Sequence, residues 1–135
     1  MNILAFDTAT GVGTVAILQD ETVLAERSIH APMSLLTWLI PAIQDAMSEA
    51  GVTFNDLDAI AVGTGPGSFT GIRLGLSTAK TLAQVGNLPL YGVSTPEAVE
   101  DGTVKASRIG ILATQRKEQL SGDFHSVSPI YPVRP

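Results

Sequence analysis

Asp7 ends an apolar run and stands directly before Thr8, Thr10, Gly11 and Gly13, so one short loop offers a carboxylate, hydroxyls and backbone amides together. Such a set can hold a phosphate and, through water, its Mg²⁺. The same residues can instead do no more than close a tight turn through Asx-type hydrogen bonds. A second loop, Gly63 to Gly71, reads GTGPGSFTG and lies between a short apolar strand and a helix without an acidic residue in its first turns. Strand, glycine loop and helix in that order aim backbone N–H groups and the positive end of a helix dipole at one spot, which suits an anion. Gly63, Gly65 and Gly67 put no side chain in the way, Pro66 fixes its own φ, and Ser68 and Thr70 can cap a helix that starts near Gly71. A loop of this composition serves equally as a close connection with no ligand at all. It is not a Walker loop, because Ile72 and Arg73 follow Gly71 where Lys and Ser/Thr would be needed, and a dinucleotide fingerprint would open the first βα unit.

Other chemistries find little support. His30 and His125 are far apart and in no metal-ligand spacing, no serine sits in a GxSxG setting, and cysteine is absent, so no metal is assigned and thiolate sites and disulfides are excluded. With 8 Lys and Arg against 13 Asp and Glu, the net charge is −5 and the basic residues are dispersed, which argues against direct binding of a nucleic-acid backbone. The composition, 44% hydrophobic and 16% charged, leaves apolar surface beyond what a core needs and points to a protein partner. No run reaches the ~18 apolar residues of a membrane span, and Asp7 interrupts the N-terminal apolar run too early for a signal peptide, so a cytoplasmic location is expected.

The elements that must position the two loops follow from patterning. Asn2 to Phe6 is a nearly continuous apolar run, as in a central strand buried on both faces. Thr14 to Gln19 and Thr22 to Ser28 read as an antiparallel meander joined by Asp20 and Glu21. From Ser34 to Ala50 the apolar residues recur at helical spacing and Gly51 supplies the stop, while Pro41 must either kink this helix or mark its true start. A strand ends at Val62, a helix runs from Gly71 to about Val85, Pro89 to Val93 is a strand, and Thr95 is the expected N-cap of a short helix from Pro96 to Glu100. Beyond a linker, Arg108 to Thr114 reads as a strand, Gln119 to His125 as a returning strand, and the proline-rich end SPIYPVRP as an extended tail.

The helix after the glycine loop is apolar on two sides. Ile72, Leu76, Ala79 and Ala83 make one stripe; Leu74, Leu82 and Val85, with Thr78 and Thr81, make another. A helix on one side of a sheet needs only one stripe, so the second meets either more of this chain or another chain.

FDTAT at the first strand end, the meander, and GTGPGSFTGIRLGLSTAKTLA followed by LPLYGVSTPEA together resemble the bacterial TsaB (YeaZ) family, from Met1 to about Ala98. The resemblance implies an α/β fold, the N-terminal domain of an actin-like ATPase of the sugar kinase and Hsp70 kind, with a mixed βββαβα sheet over residues 1–100. Residues 101–135 then look like the remnant of a second domain, RIGILATQRKEQLSGDF being a worn copy of its opening strand with Ala113 in place of an Asp. It further implies a non-catalytic subunit that supports a TsaD-like catalytic subunit in threonylcarbamoyl modification of the tRNA adenosine beside the anticodon. Through that subunit it would meet a TsaE-like ATPase and tRNA, and it would form a homodimer when alone. The interface is expected on Leu35, Leu36, Leu39 and Ile43 of the first helix and on Ile72, Leu76 and Lys80 of the second, with Ser68, Phe69 and Arg73 at the loop shoulder. A charge at Leu76 should then abolish association. The resemblance assigns no definite cofactor, and ATP or ADP with Mg²⁺ at the partner interface fits it. The rival reading is a nucleotide-dependent ATPase or small kinase that uses Asp7, Thr8, Thr10 and the Gly63, Gly65 and Gly67 amides. The family's first long helix usually opens on an HSE-like triplet, and here Met33-Ser34-Leu35 stands instead.

Overall fold

The apolar run at the N-terminus becomes β1 (Asn2–Asp7), the middle strand of a five-stranded sheet, in a computed structural model that describes residues 1–119 and 127–128. Its alternation splits the core in two: Leu4 and Phe6 point to one face, Ile3 and Ala5 to the other, and all four are fully buried. The meander is β2 (Val12–Gln19) and β3 (Thr22–His30), antiparallel to each other, with β2 antiparallel to β1. On the other side β4 (Ala59–Gly63) runs parallel to β1, and β5 (Leu90–Val93) parallel to β4. The order is β3-β2-β1-β4-β5, so the C-terminal ends of β1, β4 and β5 lie together at one end of the sheet.

One face of the sheet is covered by α1 (Leu35–Ala50) and α2 (Phe69–Gly86). Pro41 neither starts nor breaks α1. Its missing N–H would have bonded the carbonyl of Thr37, and both residues are exposed, so the freed acceptor faces the surface and not the core. In α2, Ser68 is the N-cap and accepts a bond from the Gly71 amide at 3.0 Å; Thr70 lies inside the first turn and caps nothing. A line of small residues, Gly71, Gly75, Ala79 and Ala83, faces the sheet and lets the helix backbone approach it.

The opposite face departs from the pattern-based reading. Arg108 to Thr114 is not a strand but the middle of α3 (Ala106–Arg116), and Ile109, Leu112 and Ala113 pack on Ile3, Ala5, Ala16 and Leu18. Gly110 makes this possible, since a Cβ there would fall 2.4 Å from a methyl of Leu18. The sheet also caps this helix: Thr14 Oγ1 accepts from the Ala106 amide and the Glu26 carboxylate from the Ser107 amide, each at 2.9 Å. A second correction concerns Thr95 to Glu100. The expected short helix is one turn of 3₁₀ helix, Thr95–Ala98, and the chain then forms a small hairpin of β6 (Val99–Glu100) and β7 (Thr103–Val104) turning at Asp101 and Gly102. The expected strand from Gln119 to His125 and nearly all of the tail lie outside the described residues.

Candidate functional site

Three loops converge where β1, β4 and β5 end. Asp7, the last residue of β1, is 0% exposed and both its carboxylate oxygens are used within the chain. Oδ1 accepts from the Ala9 amide at 2.7 Å, and Oδ2 accepts from the Thr95 hydroxyl at 2.7 Å. Thr95 Oγ1 in turn accepts from the Gly65 amide at 3.0 Å, and the Thr95 amide donates to the Gly65 carbonyl at 2.9 Å. Thr95 is therefore a cross-link between loops, not the N-cap of a helix. Thr8 Oγ1 donates to the Gly71 carbonyl, and the Ser68 amide donates to the Ala9 carbonyl at 2.7 Å.

Close approach explains the glycines here better than loop flexibility does. A Cβ on Gly63 would lie 1.7 Å from Asp7 Oδ2, one on Gly67 2.1 Å from the Ala9 carbonyl oxygen, and one on Gly71 2.2 Å from the Thr8 carbonyl oxygen. The two glycine- and threonine-bearing loops are packed backbone to backbone. Asp7 closes an Asx-type turn onto the Ala9 amide, while Thr8 is buried and Thr10 is exposed, lining the adjoining groove.

Burial pushes the Asp7 carboxyl above its ordinary range, and the bonds from Ala9 and Thr95 draw back part of that rise. A folded-state pKa above the unfolded value of ~3.9 means that protonation favours the folded protein. That contribution is complete below about pH 4 and is lost as pH rises through the raised folded value. Asp7→Asn removes it. The stability difference between variant and wild type should therefore shift in favour of the variant from pH 4 to pH 7, as read from urea unfolding at both values. Asp20, Asp56 and Glu97, whose carboxyls are held low by hydrogen bonds, act in the opposite sense but are common to both proteins and cancel in the difference. A difference independent of pH would show that Asp7 titrates normally.

The residues expected at an interface divide into two groups. Leu39 and Ile43 of α1, and Ile72 and Leu76 of α2, face the sheet and belong to this chain's own core, and Leu35 is buried as well, beside Gly13 of β2 and at the inner wall of the groove described below. Leu76 is only 5% exposed, so a charge there would test folding and not association. Outward lie Leu36, 75% exposed, and Phe69, 48% exposed, with Ser68 and Arg73 exposed and Lys80 half-buried; the Arg73 guanidinium sits 5.1 Å from the centre of the Phe69 ring. The pattern-based set missed Met33, 98% exposed, and Ile40, 44% exposed, on the same side. The signal that separates the two stripes of α2 is its small-residue line, which marks the face nearest the sheet.

Between the outer faces of α1 and α2 runs a groove. Its wider part, about 810 Å³, is lined by Met33, Leu35 and Leu36, by Leu74 and Thr70, and at its floor by Thr10, Gly11, Gly67, Ser68 and Gly71. Further along, Ile40 faces Thr78, Thr81 and Leu82 across a smaller cleft. No cluster of three or more His, Cys, Asp or Glu that could hold a metal ion is found among the described residues. Nor is any helix among them long and apolar enough to cross a membrane.

This sheet order, with helices on both faces and paired loops at the ends of β1 and β4, defines an α/β protein of the actin-like ATPase class. The family model for TsaD, tRNA N6-adenosine threonylcarbamoyltransferase, matches residues 30–109, more than half of the chain. The tRNA threonylcarbamoyladenosine biosynthesis protein TsaB of Escherichia coli K12 is 41% identical over 102 residues, which are 76% of this chain and 44% of that protein. The Bacillus subtilis protein of the same description is 35% identical over 99 residues, 73% of this chain and 43% of that one. YeaZ from Pseudomonas aeruginosa superposes with a TM-score of 0.85 over 97% of this chain and 99% of its own, at 18% identity, and so shares the fold. The chain belongs to the TsaB (YeaZ) family, within the TsaD-like group. It spans about half the length of the curated relatives it matches.

Proposed function

We propose that this chain is a non-catalytic docking subunit that supports a TsaD-like catalytic subunit in threonylcarbamoyl modification of the tRNA adenosine next to the anticodon. The observation that carries the reading is the outer face of α1 and α2, where Met33 and Leu36 stand exposed at the groove and Ile40 at the smaller cleft beyond it. Contiguous apolar side chains of this size on the protein's own surface call for a partner surface of the same kind. The family's place in tRNA threonylcarbamoyladenosine biosynthesis, carried by the names of the Escherichia coli and Bacillus subtilis relatives, supports a partner that acts in the same modification. The Asp7 carboxylate, engaged by Ala9 and Thr95, supports a structural role for the loop that a kinase or ATPase would need for its phosphates. A TsaE-like ATPase and tRNA would be reached through the catalytic subunit, and a second copy of this chain would take the same face when that subunit is absent.

Size-exclusion co-elution with the TsaD-like protein of the same cell, with and without ATP, tests the reading. Leu36→Asp places a charge on an exposed apolar position and should weaken association about thirtyfold or more, while changing stability by no more than about 0.5 kcal/mol. Calorimetric titration of both proteins reads the first effect and urea unfolding the second. Equal affinity of variant and wild type, or separate elution of the wild-type chain, would overturn the assignment.

A further inference from the structure

The buried aspartate that ends β1 has no solvent contact, yet one of its oxygens holds a loop that lines the groove and the other reaches the second such loop through Thr95. From Oδ1 the chain of bonds runs through the Ala9 amide to the Ala9 carbonyl, which accepts from the Ser68 amide at 2.7 Å. Ser68 is the N-cap of α2 and lines the groove. From Oδ2 it runs through the Thr95 hydroxyl to the Gly65 amide, two residues before Gly67 at the groove floor. Gly67 also lies against the Ala9 carbonyl, where a Cβ would fall 2.1 Å from its oxygen, so the two loops meet backbone to backbone. Thr10 and Gly11, on the other side of the groove floor, follow directly from the turn that Asp7 closes.

We infer that Asp7 is the positioning residue of the docking face: it fixes the start of α2 against the Thr8–Gly11 loop and so sets the shape of the groove in which the partner sits. The inference rests on the docking reading above. A carboxyl group suits this task because its two oxygens serve separately, one accepting from the Ala9 amide and the other from the Thr95 hydroxyl, which itself holds the Gly65 amide. A serine at position 95 preserves the donor; a valine of similar shape does not.

The test is partner affinity by calorimetric titration on the full chain, at a temperature well below the unfolding transition of every variant. Thr95→Val and Asp7→Asn should each weaken association about tenfold, and Thr95→Ser should restore it to near the wild-type value. Leu112→Ala serves as the control, since it weakens the packing of α3 on the opposite face of the sheet without touching the groove. Its affinity should match wild type despite lower stability. Should Asp7→Asn not fold, the Thr95 pair decides alone. Undiminished affinity in Thr95→Val, or an equal loss in Leu112→Ala, overturns the positioning role while leaving the docking reading intact. A wild-type chain that binds no catalytic subunit removes the docking reading itself, and this inference with it.

Discussion

An Ile109→Asp variant should fail to fold at 25 °C. Ile109 is fully buried against the second face of the sheet, in one cluster with Ile3, Ala5, Ala16 and Leu18. A carboxylate there has no partner, and an unpaired buried charge costs more than about 5 kcal/mol, comparable to the whole stability of a small domain. The milder Ile109→Ala should lower stability by roughly 3 kcal/mol, the usual cost of removing a large apolar side chain from a core. Circular dichroism of the first variant and urea unfolding of the second read these effects. Both bear on domain organisation. We propose that residues 1–116 form a single folding unit, with α3 as the second cover of the sheet, in place of a boundary near residue 100. If the stretch after residue 100 were a remnant of a separate domain, Ile109→Asp would leave a folded protein with unchanged sheet signal. That result would restore the boundary.

The way α3 escaped a pattern reading is instructive in physical terms. The run Asn2 to Phe6 marked β1 as buried on both sides, and a strand buried on both sides requires two covering layers. Only the Ser34 to Ala50 and Gly71 to Val85 segments read as long helices, and both lie on the same face. The second cover was available in Ala106, Ile109, Gly110 and Ala113, which recur at helical spacing. The five-residue run Ile109 to Ala113, with a glycine in second place, also fits a short strand, and nothing local decides between the two. Gly110 is where the helix backbone meets Leu18, a reason visible only once the sheet is in place.

The docking face shows a similar limit. The segment that becomes α2 carries two apolar stripes and that of α1 one broad one, and periodicity cannot tell which residues meet the sheet. The residues chosen from the sequence included Leu35, Leu39, Ile43, Ile72 and Leu76, which fill the core, alongside Leu36 and Phe69, which do not. The two loops fared differently. Their positions and their glycine spacing could be read directly, whereas the partner of Asp7 could not, because Thr95 is 88 residues away in sequence. A hydrogen bond across that distance is set by the parallel order of β1, β4 and β5, not by any local motif.

Gly71→Ala should destabilise the protein by about 2 kcal/mol, against the usual sign for such a change. Within a helix, alanine is favoured over glycine by about 1 kcal/mol because the unfolded backbone has less freedom to lose. Gly71 lies in the first turn of α2, where a Cβ would fall 2.2 Å from the Thr8 carbonyl oxygen and 2.7 Å from the capping oxygen of Ser68. The first obstacle is backbone. To relieve it, α2 must lift from the Thr8–Gly11 loop, which strains the Thr8 bond to the Gly71 carbonyl and the Ser68 bond to Ala9 together. Overpacking of this kind typically costs 1–3 kcal/mol and sometimes more, enough to reverse the helical preference. Gly75→Ala, one turn on, should cost less, since its Cβ meets only the Thr8 hydroxyl at 2.9 Å, with the nearest Val62 methyl at 3.8 Å. Urea midpoints for the two variants should fall in the order wild type, Gly75→Ala, Gly71→Ala. A Gly71→Ala protein as stable as wild type would mean that the glycines of this loop serve flexibility or a ligand. The close backbone contact that shapes the groove would then lose its foundation.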